Sequence, residues 1–322
     1  MKIKFNDNLV KLANAMPCSI YAVGGYVRNY LINQKTSSDI DLSSSLLTEE
    51  LLPYLDKFGF RIIATYDRTG TVVFSDGTQK YEYSAFRSES YAKGEHTPEK
   101  TVFKVSLYED ALRRDFKCNA IYYDVKNQEF VDPLGGIEDV KNKMLDTVTS
   151  PEKVFCHDGL RLMRLARFSG DLGFMATEDV LKIAKKYANN IKDISSERIC
   201  EELKKILVAD TAHEFSPKDG HYKALKVLDD AKVIDQILPE IARGRGMAQR
   251  KDYHKYDVLE HTLKTVLYAD KSIRLAALFH DIGKPLCMLK NGKYHGHDVV
   301  GADLAREALN RLKFDKASID EV

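Results

Sequence analysis

The stretch that decides the fold reads Tyr21-Ala22-Val23-Gly24-Gly25-Tyr26-Val27-Arg28 and continues, after a helix-like run, as Ser38-Asp39-Ile40-Asp41-Leu42-Ser43. The apolar run 20–23 predicts a short buried strand, and the glycine pair marks a junction between this strand and the next helix. A second strand is predicted over 39–43. Because side chains alternate between the faces of a strand, Asp39 and Asp41 are expected on one face, and Ile40 on the other.

The aspartate pair also has a chemical interpretation. Two neighbouring carboxylates repel each other, and a divalent cation neutralises such a pair; oxygen ligands of this kind suit Mg²⁺, which bridges to substrate phosphates. The backbone N–H groups of Gly24 and Gly25 can hold phosphate at the start of a helix. Alone, the acids would fit a solvated strand equally well. Together with the glycine turn, they indicate chemistry on a nucleoside triphosphate.

Two further residues belong to this pattern. Arg28 falls in the first turn of the predicted helix, where a positive charge opposes the helix dipole. A bound anion explains this arginine better than helix stability does, and a tolerated surface arginine is the alternative. Glu82 lies in the alternating run Tyr81-Glu82-Tyr83, so it can supply a third carboxylate opposite the pair or face the solvent.

Composition describes an ordinary globular chain. Its 322 residues are 44% hydrophobic and 30% charged, with a formal net charge of +1. A near-zero charge gives little electrostatic steering, so any nucleic-acid contact must come from local basic clusters. The five cysteines lack C-x-x-C spacing, which fits a reducing compartment. The sequence begins without an apolar signal segment and contains no long apolar run, and we expect a cytoplasmic protein.

The order of predicted elements indicates an α+β fold. A helix over 48–58 precedes short strand-like runs over 61–65, 71–74 and 80–86, which favour a mixed-sheet head rather than a doubly wound sheet. The polar segment 88–101, which carries glycine and proline, is predicted to be a loop. From Pro151 onward the chain is predicted to be helical.

Several motifs occur in one order along the chain. They read Gly24-Gly25-x-Val27-Arg28, Asp39-x-Asp41-Leu42-Ser43, Gly70-Thr71-Val72, Glu82 with Phe86-Arg87, Glu109-Asp110-x-x-Arg113-Arg114-Asp115-Phe116-x-x-Asn119-Ala120, Asp132-Pro133-x-Gly135-Gly136-x-x-Asp139, Asp158-x-x-Arg161-x-x-Arg164-x-x-Arg167-Phe168, and Glu197-Arg198-x-x-x-Glu202-Leu203-x-Lys205. Over residues 18–210 the chain resembles the class II tRNA nucleotidyltransferases, which comprise the CCA-adding enzymes and the bacterial poly(A) polymerases.

The resemblance implies a polymerase β-like nucleotidyltransferase head and a role for each matching residue. Asp39 and Asp41 would hold two Mg²⁺ ions, with Glu82 as a third catalytic carboxylate. The implied triphosphate and nucleotide contacts are Gly24, Gly25, Arg28 and Arg114, with Arg113 as the alternative to Arg114. For Arg113, a surface helix charge is the competing interpretation.

The resemblance also implies that Asp158 and Arg161 read the incoming base. On a helix, residues three apart are neighbours, so an acceptor and a donor can stand side by side. C and A show an amino donor beside a ring acceptor, whereas U and G show the opposite order, and the pair therefore fits C and A. An ordinary helix salt bridge is the alternative. Arg164 and Arg167 would extend this row toward phosphate or base.

The sequence departs from the family pattern at a few places. Asn29 replaces an aspartate after Arg28, His157 replaces the acidic residue before Asp158, and Lys117-Cys118 replace Thr-Ile. His157 bears on fine base selection. The loop between Arg87 and Leu107 keeps its length, with Tyr91, His96 and Pro98 in place, and this length favours addition of all three nucleotides.

The C-terminal part resembles the HD superfamily. The resemblance covers His261, the adjacent His280-Asp281 and then His295-Gly296-His297. Of these, His280-Asp281 with the upstream His261 can bind a divalent metal, and HD enzymes hydrolyse phosphate esters that way. HD domains normally carry a further aspartate on a later helix, so we expect an incomplete domain. The alternatives are weak metal binding and a structural role. We expect four segments: head 1–148, helical neck 149–210, helical body 211–250 and HD-like domain 251–322.

The leading hypothesis is template-independent addition of C, C and A to the 3′ end of tRNA from CTP and ATP, with release of pyrophosphate and contact to the acceptor arm. A poly(A) or A-adding polymerase would share every motif. An HD phosphohydrolase with a nucleotide-sensing head belongs to another class, and a degenerate RNA-binding module is disfavoured by the intact acids. Candidate phosphate contacts are Lys204-Lys205 and the stretch Arg243 to Lys251, for which a solvated surface is the alternative.

Overall fold

The chain forms two compact units, Met1–Ser150 and Pro151–Val322. A computed structural model describes residues 2–35, 39–90, 100–249 and 255–322. The residues Tyr91, His96 and Pro98, on which the loop-length prediction depends, lie outside the described ranges.

The first unit combines helices with short strands. Its strands are β1 (Tyr21–Val23), β2 (Asp39–Ser44), β3 (Arg61–Tyr66), β4 (Thr71–Ser75), β5 (Lys80–Ala85), β6 (Arg87–Ser90), β7 (Lys100–Phe103), β8 (Tyr122–Asp124), β9 (Glu129–Val131) and β10 (Met144–Leu145). Its helices are α1 (Asp7–Ala15), α2 (Gly25–Asn33), α3 (Thr48–Lys57), α4 (Leu107–Leu112) and α5 (Gly136–Asn142).

Seven of these strands form a mixed sheet in the order β3-β4-β5-β2-β1-β8-β9. Only the central pair, β2 and β5, is parallel; the other neighbours run antiparallel. The parallel pair is joined by a crossover through α3, β3 and β4, which covers the chain length that such a connection needs. The predicted α+β class with a mixed-sheet head is confirmed.

Strand β2 shows the predicted alternation. Asp39 and Asp41 are exposed, whereas Ile40 and Leu42 are buried. Helix α2 packs against β1 and β2. In the register of the parallel pair, Asp41 lies opposite Glu82 of β5. Residues that are partners across two strands point to the same face, so Glu82 joins the two aspartates on the open face of the sheet.

The prediction of a loop over 88–101 is wrong at both ends of the segment, where the chain forms β6 and β7. Strands β6 and β7 pair antiparallel, with Arg87 opposite Phe103 and Glu89 opposite Thr101. Arg87 Nε also donates to Glu89 Oε1 at 2.8 Å. Polar residues hide this pairing from a pattern search, because the ladder is formed by backbone groups that every residue carries.

The second unit is almost entirely helical. Its elements are α6 (Pro151–His157), α7 (Leu160–Leu172), β11 (Met175–Ala176), α8 (Glu178–Lys186), α9 (Ser196–Leu207), α10 (Gly220–Asp230), α11 (Ile234–Ile237), α12 (Pro239–Ala242), α13 (Val258–Tyr268), α14 (Arg274–Phe279), α15 (Lys284–Asn291), α16 (His297–Arg311) and α17 (Lys316–Glu321). Within the described parts of the chain, none of the helices is long and apolar enough to cross a lipid bilayer.

Helix α7 is the buried centre of this unit. It packs closely against α10 because glycines face each other at the crossing: a Cβ added to Gly170 would lie 2.5 Å from the carbonyl oxygen of Gly220. Any larger side chain would push the two backbones apart. The close crossing fixes the direction of α7, and thereby of the arginines that it carries.

Candidate functional site

The open face of the sheet carries three carboxylates. Asp39, Asp41 and Glu82 are all exposed, and the register of β2 and β5 places Asp41 beside Glu82. Residues two apart on a strand are separated by about 6.6 Å along the chain, so all three acids are close neighbours. This arrangement offers several hard oxygen donors on one surface, which is the ligand chemistry that Mg²⁺ prefers.

The turn after β1 lies directly against this acidic face. Gly24 has a φ of +74°, a conformation that residues with side chains rarely adopt. A Cβ added to Gly24 would lie 3.5 Å from Asp41 Oδ2 and 3.8 Å from Arg114 Nη1. The turn therefore brings a catalytic candidate and a nucleotide-binding candidate to the bare backbone that starts α2.

Arg28 is buried beside this turn rather than exposed. Its Nε and Nη2 donate to Asn29 Oδ1 at 3.1 and 2.9 Å, and its Nη1 donates to Asn119 Oδ1. A buried charge is costly unless it is hydrogen-bonded, and these bonds supply the partners. The interpretation of Arg28 as a merely tolerated surface arginine is wrong, because only 4% of it is accessible.

Arg113 and Arg114 are held by one buried acid at the end of α4. Asp110 Oδ1 accepts from Arg113 Nε at 2.8 Å, and Asp110 Oδ2 accepts from Arg114 Nη2 at 3.2 Å and from the Tyr122 hydroxyl at 2.7 Å. Burial opposes ionisation of Asp110, but the two guanidinium groups outweigh it and hold the pKa of Asp110 below its ordinary value.

The two arginines differ in what they face. Arg113 also lies 3.9 Å from Glu89 Oε1, so it is enclosed by acids and is not the exposed helix charge considered above. Arg114 stacks over the Tyr122 ring and directs Nη1 toward Gly24. This geometry favours Arg114 over Arg113 as a nucleotide contact, and that role stays a prediction.

In the second unit, Asp158 does not lie on a continuous helix with Arg161, as the spacing argument assumed. It separates α6 from α7, and its Oδ1 accepts from the Leu160 backbone N–H at 2.9 Å. Gly159 lies against the carbonyl of Asn190, where no side chain fits. Arg161 follows in the first turn of α7, with its backbone N–H donating to the Asp158 carbonyl at 3.1 Å.

Sequence reasoning missed a partner of Asp158. Arg198 of α9 places Nη2 at 3.4 Å from Asp158 Oδ2. Arg198 stands in the Glu197-Arg198 motif, so the signal was present in the sequence, but nothing in the spacing connects positions forty residues apart.

The last two predicted arginines of α7 have different surroundings. Arg167 donates to Glu202 Oε2 at 2.7 Å and to Asp171 Oδ2 at 3.0 Å, and both acids are buried. Arg164 and Arg167 both stack on Phe168, at 5.1 and 4.3 Å from the ring centre. Arg167 thus ties α7 to α9, and a contact of either arginine with nucleotide stays a prediction.

A second cluster of possible metal ligands lies among α13 to α16. Ligand atoms of His261, His280 and Asp281 all fall within 4.8 Å of one another. His261 Nε2 and His280 Nε2 are 3.4 and 3.1 Å from Asp281 Oδ2. His297 Nε2, which was not included in the predicted ligand set, is 3.6 Å from Asp281 Oδ1.

The groups around this cluster orient it. His280 Nδ1 and His297 Nδ1 face the carbonyls of Ala277 and Tyr294 at 2.7 and 2.8 Å, which leaves Nε2 directed at Asp281. Lys284 Nζ lies 2.8 Å from Asp281 Oδ2. Burial opposes ionisation of Asp281, but His280 and Lys284 lower its pKa strongly.

Three protein families match successive parts of the chain. Residues 20–146 match the "Poly A polymerase head domain", residues 173–244 the "Probable RNA and SrmB- binding site of polymerase A", and residues 254–322 the "HD domain". The boundaries follow the change from the sheet-containing unit to the helical one.

Relatives and solved structures agree with these matches. The CCA-adding enzyme of Lactobacillus helveticus is 38% identical over 271 residues, covering 84% of this chain and 63% of the relative. That of Geobacillus sp. is 38% identical over 187 residues, covering 58% and 45%. The chain thus spans about half to three-fifths of the length of these curated relatives.

The fold is shared with solved structures. The crystal structure of the Bacillus stearothermophilus CCA-adding enzyme in complex with CTP has a TM-score of 0.69 at 24% identity, covering 98% of this chain and 68% of that chain. A tRNA nucleotidyltransferase complexed with a primer tRNA and an incoming ATP analog has a TM-score of 0.60 at 21% identity, covering 98% and 79%. At these identities the likeness concerns the fold.

One acid behind the site gives a pH-dependent prediction. Burial raises the pKa of Asp139 to about 6, and nearby Asp146 adds to the rise while Lys117 opposes it. The Oδ2 atom of Asp139 is buried without a hydrogen-bond partner. Because the folded pKa exceeds the unfolded one, Asp139 destabilises the fold progressively as pH rises from about 4 to about 6.

We therefore expect Asp139→Asn to be more stable than the wild type at pH 7 and to lose this advantage as pH falls toward 4. Urea denaturation at four pH values between 4 and 7, followed by tyrosine fluorescence, measures the difference. Glu138→Gln, one position away and exposed, is the control and should show no such trend. An Asp139→Asn difference that is the same at every pH would contradict the assignment.

Proposed function

We propose that this chain adds C, C and A to the 3′ end of tRNA from CTP and ATP. The proposal starts from its family, since the chain belongs to the class II tRNA nucleotidyltransferases and bacterial poly(A) polymerases. The observation that carries the proposal is the meeting of Asp41, the Gly24 turn and Arg114 at one place on the sheet. Acids for a metal and cations for phosphates are the two parts that nucleotidyl transfer needs.

The acidic face fits a divalent cation. Asp39, Asp41 and Glu82 present carboxylate oxygens to solvent on one surface, and we propose two Mg²⁺ ions there. When bound, such ions neutralise charge on the reacting phosphate, activate the terminal 3′-hydroxyl and stabilise the pyrophosphate that leaves. Ile40 and Leu42 are buried on the other face of the strand. Their burial prevents the strand from rotating about its axis, so the acids stay on the face that meets the substrate.

The cations on the other side of the turn suit the triphosphate. The N–H groups at the start of α2, next to Gly25, can donate to phosphate oxygens, and Arg28 adds a buried positive charge against the same turn. Arg114 is fixed by Asp110 and Tyr122, so little side-chain entropy is lost when a nucleotide binds.

Base selection is assigned to the second unit. Asp158 offers an acceptor and Arg161 a donor, a combination that pairs with C and A and rejects U and G. The contact from Arg198 orients the acceptor. Protein side chains would then replace a template strand.

Phosphates of tRNA need exposed cations on the second unit. The earlier candidates Lys204 and Arg245 are engaged in ion pairs: Lys204 Nζ is 2.7 Å from Asp315 Oδ2, and Arg245 donates to Asp235 at 2.8 and 2.7 Å. Arg250 and Lys251 lie outside the described ranges. The lysines of α8, at 182, 185 and 186, are exposed and are better candidates for phosphate contacts, with affinity that falls as salt rises.

The first test measures transfer directly. With tRNA lacking its 3′ end, Mg²⁺ and labelled CTP and ATP, the wild type should restore C, C and A and stop. Asp39→Asn removes one carboxylate charge and should lower the rate by roughly a thousandfold or more, since metal-held charge stabilisation amounts to several kcal/mol.

Asp56→Asn, an exposed acid on α3, is the matched control and should keep the wild-type rate. Long A tails made from ATP alone would replace the CCA assignment with poly(A) synthesis. A near-normal rate in Asp39→Asn would refute the metal role of this residue.

A second prediction concerns base choice. Asp158→Asn keeps an oxygen for the Leu160 N–H, so the start of α7 is preserved, but it replaces an acceptor by a donor that can pair with the carbonyl of U. We expect incorporation of UTP relative to CTP to rise at least about tenfold. Asp179→Asn, an exposed acid on α8, should not change the ratio; an unchanged ratio in Asp158→Asn would remove the reader assignment.

The HD cluster supports a second candidate function in the same chain. Three ligands converge within 4.8 Å, and backbone carbonyls orient both His280 of this cluster and the neighbouring His297. Imidazole with carboxylate suits divalent transition metals. A metal-dependent phosphohydrolase is the activity that this chemistry favours.

Titration with Mn²⁺ and with Ni²⁺ by calorimetry tests this candidate, together with hydrolysis of a chromogenic phosphodiester. We expect His280→Ala to lose metal binding at the HD cluster and to lose hydrolysis, while metal binding at the acidic face and nucleotidyl transfer continue, because His280 belongs to the HD cluster and not to the acidic face. His295→Ala, at an exposed neighbouring histidine, should bind metal like the wild type. Equal metal affinity in wild type and His280→Ala would reject the site.

A further inference from the structure

A buried chain of side-chain hydrogen bonds lies behind the Gly24–Gly25 turn. Arg28 Nη1 donates to Asn119 Oδ1, while Arg28 Nε and Nη2 donate to Asn29 Oδ1 at 3.1 and 2.9 Å. Arg28, Asn29 and Asn119 are 4, 7 and 6% accessible. Two amide oxygens therefore accept from all three nitrogens of this guanidinium.

The orientation of the Asn119 amide is itself fixed. Its Nδ2 donates to Asp115 Oδ1 at 3.0 Å, and the same Asp115 oxygen accepts from the Phe116 backbone N–H at 2.8 Å. Because the amide nitrogen must face the acid, the amide oxygen must face Arg28. Asp115 is buried, so water competes little with this arrangement.

The backbone under Asn119 is also held. Lys117–Asn119 form a single 3-10 turn, whose first carbonyl packs so tightly against Gly136 of α5 that no side chain would fit there. The Lys117 backbone N–H donates to the Asp146 carbonyl at 3.0 Å. The motif around Gly136 thus supports the turn that carries Asn119.

We infer that Asn119 and Asn29 are positioning residues that hold Arg28 against the start of α2 for the triphosphate of the incoming nucleotide. A Cβ added to Gly25 would lie 3.6 Å from Arg28 Nη2, so the guanidinium lies beside the backbone to which a phosphate would bind. Asp115 acts one step further back by orienting Asn119. The inference rests on the proposed function, since it concerns the same nucleotide.

Substitutions at these positions should affect triphosphate binding and leave base choice unchanged. Asn119→Ala removes the acceptor for Nη1, and we expect the Kd and KM for both CTP and ATP to rise about tenfold, the size of one lost charged hydrogen bond. The KM for tRNA and the preference for C and A over U and G should stay as in the wild type. Asn29→Asp keeps an oxygen acceptor and should bind CTP like the wild type.

Two further variants separate positioning from structural support. The double swap Asp115→Asn with Asn119→Asp keeps one hydrogen bond between the two positions and one oxygen toward Arg28, so it should restore CTP binding relative to Asn119→Asp alone. Asn142→Ala, at an exposed asparagine that bonds Glu138, is the matched control and should change nothing. Melting temperatures of all variants are recorded in parallel.

Equilibrium binding of CTP is measured separately from transfer to tRNA, so the two claims fail separately. Wild-type CTP binding without transfer would reject the proposed function but support the inference if Asn119→Ala weakens that binding. Equal CTP affinity in Asn119→Ala and Asn142→Ala would overturn the inference. Two other results would overturn it. One is that CTP binding weakens in the Asn119 variants only together with a lowered melting temperature, and the double swap does not restore it. The other is that the wild type does not bind CTP.

Discussion

Repulsion among three carboxylates is the constraint on which the first unit depends. Asp39, Asp41 and Glu82 share the open face of the parallel pair β2 and β5, and nothing in strand geometry separates them. A sheet that holds them needs favourable apolar packing on its opposite face, and the buried Ile40 and Leu42 provide it. Apolar packing therefore stabilises an arrangement of charges that would be unfavourable on its own, and the charges become useful when a divalent cation binds.

The positive side of the site is built differently. Arg114 is fixed by a carboxylate and a phenol, and Arg28 by two amide oxygens. In both cases the guanidinium is largely removed from water and oriented before any ligand arrives, which lowers the entropy lost on binding. Gly24 brings these groups close to Asp41, because its positive φ and missing side chain permit a turn that other residues would block.

The sequence was sufficient for features that depend on local periodicity. Alternation in Asp39-Ile40-Asp41-Leu42 predicted which side chains are exposed, and the helix predicted over 48–58 is α3 (Thr48–Lys57). Features that depend on distant partners were missed: the pairing of β6 with β7, the bond from Arg198 to Asp158, and the bond from Arg167 to Glu202. The break between α6 and α7 at Asp158 was also missed, because a spacing of three residues fits a turn between two helices as well as one continuous helix.

The central claim is that the acidic face and the glycine turn together bind a metal-bound nucleoside triphosphate. Crystals of the chain grown with Mn²⁺ and CTP, measured at the manganese absorption edge, test it most directly. The account predicts an anomalous peak within coordination distance of Asp39 and Asp41, with the triphosphate between that peak and Arg28. An anomalous peak only at His261, His280 and Asp281, with CTP bound away from β2, would contradict it.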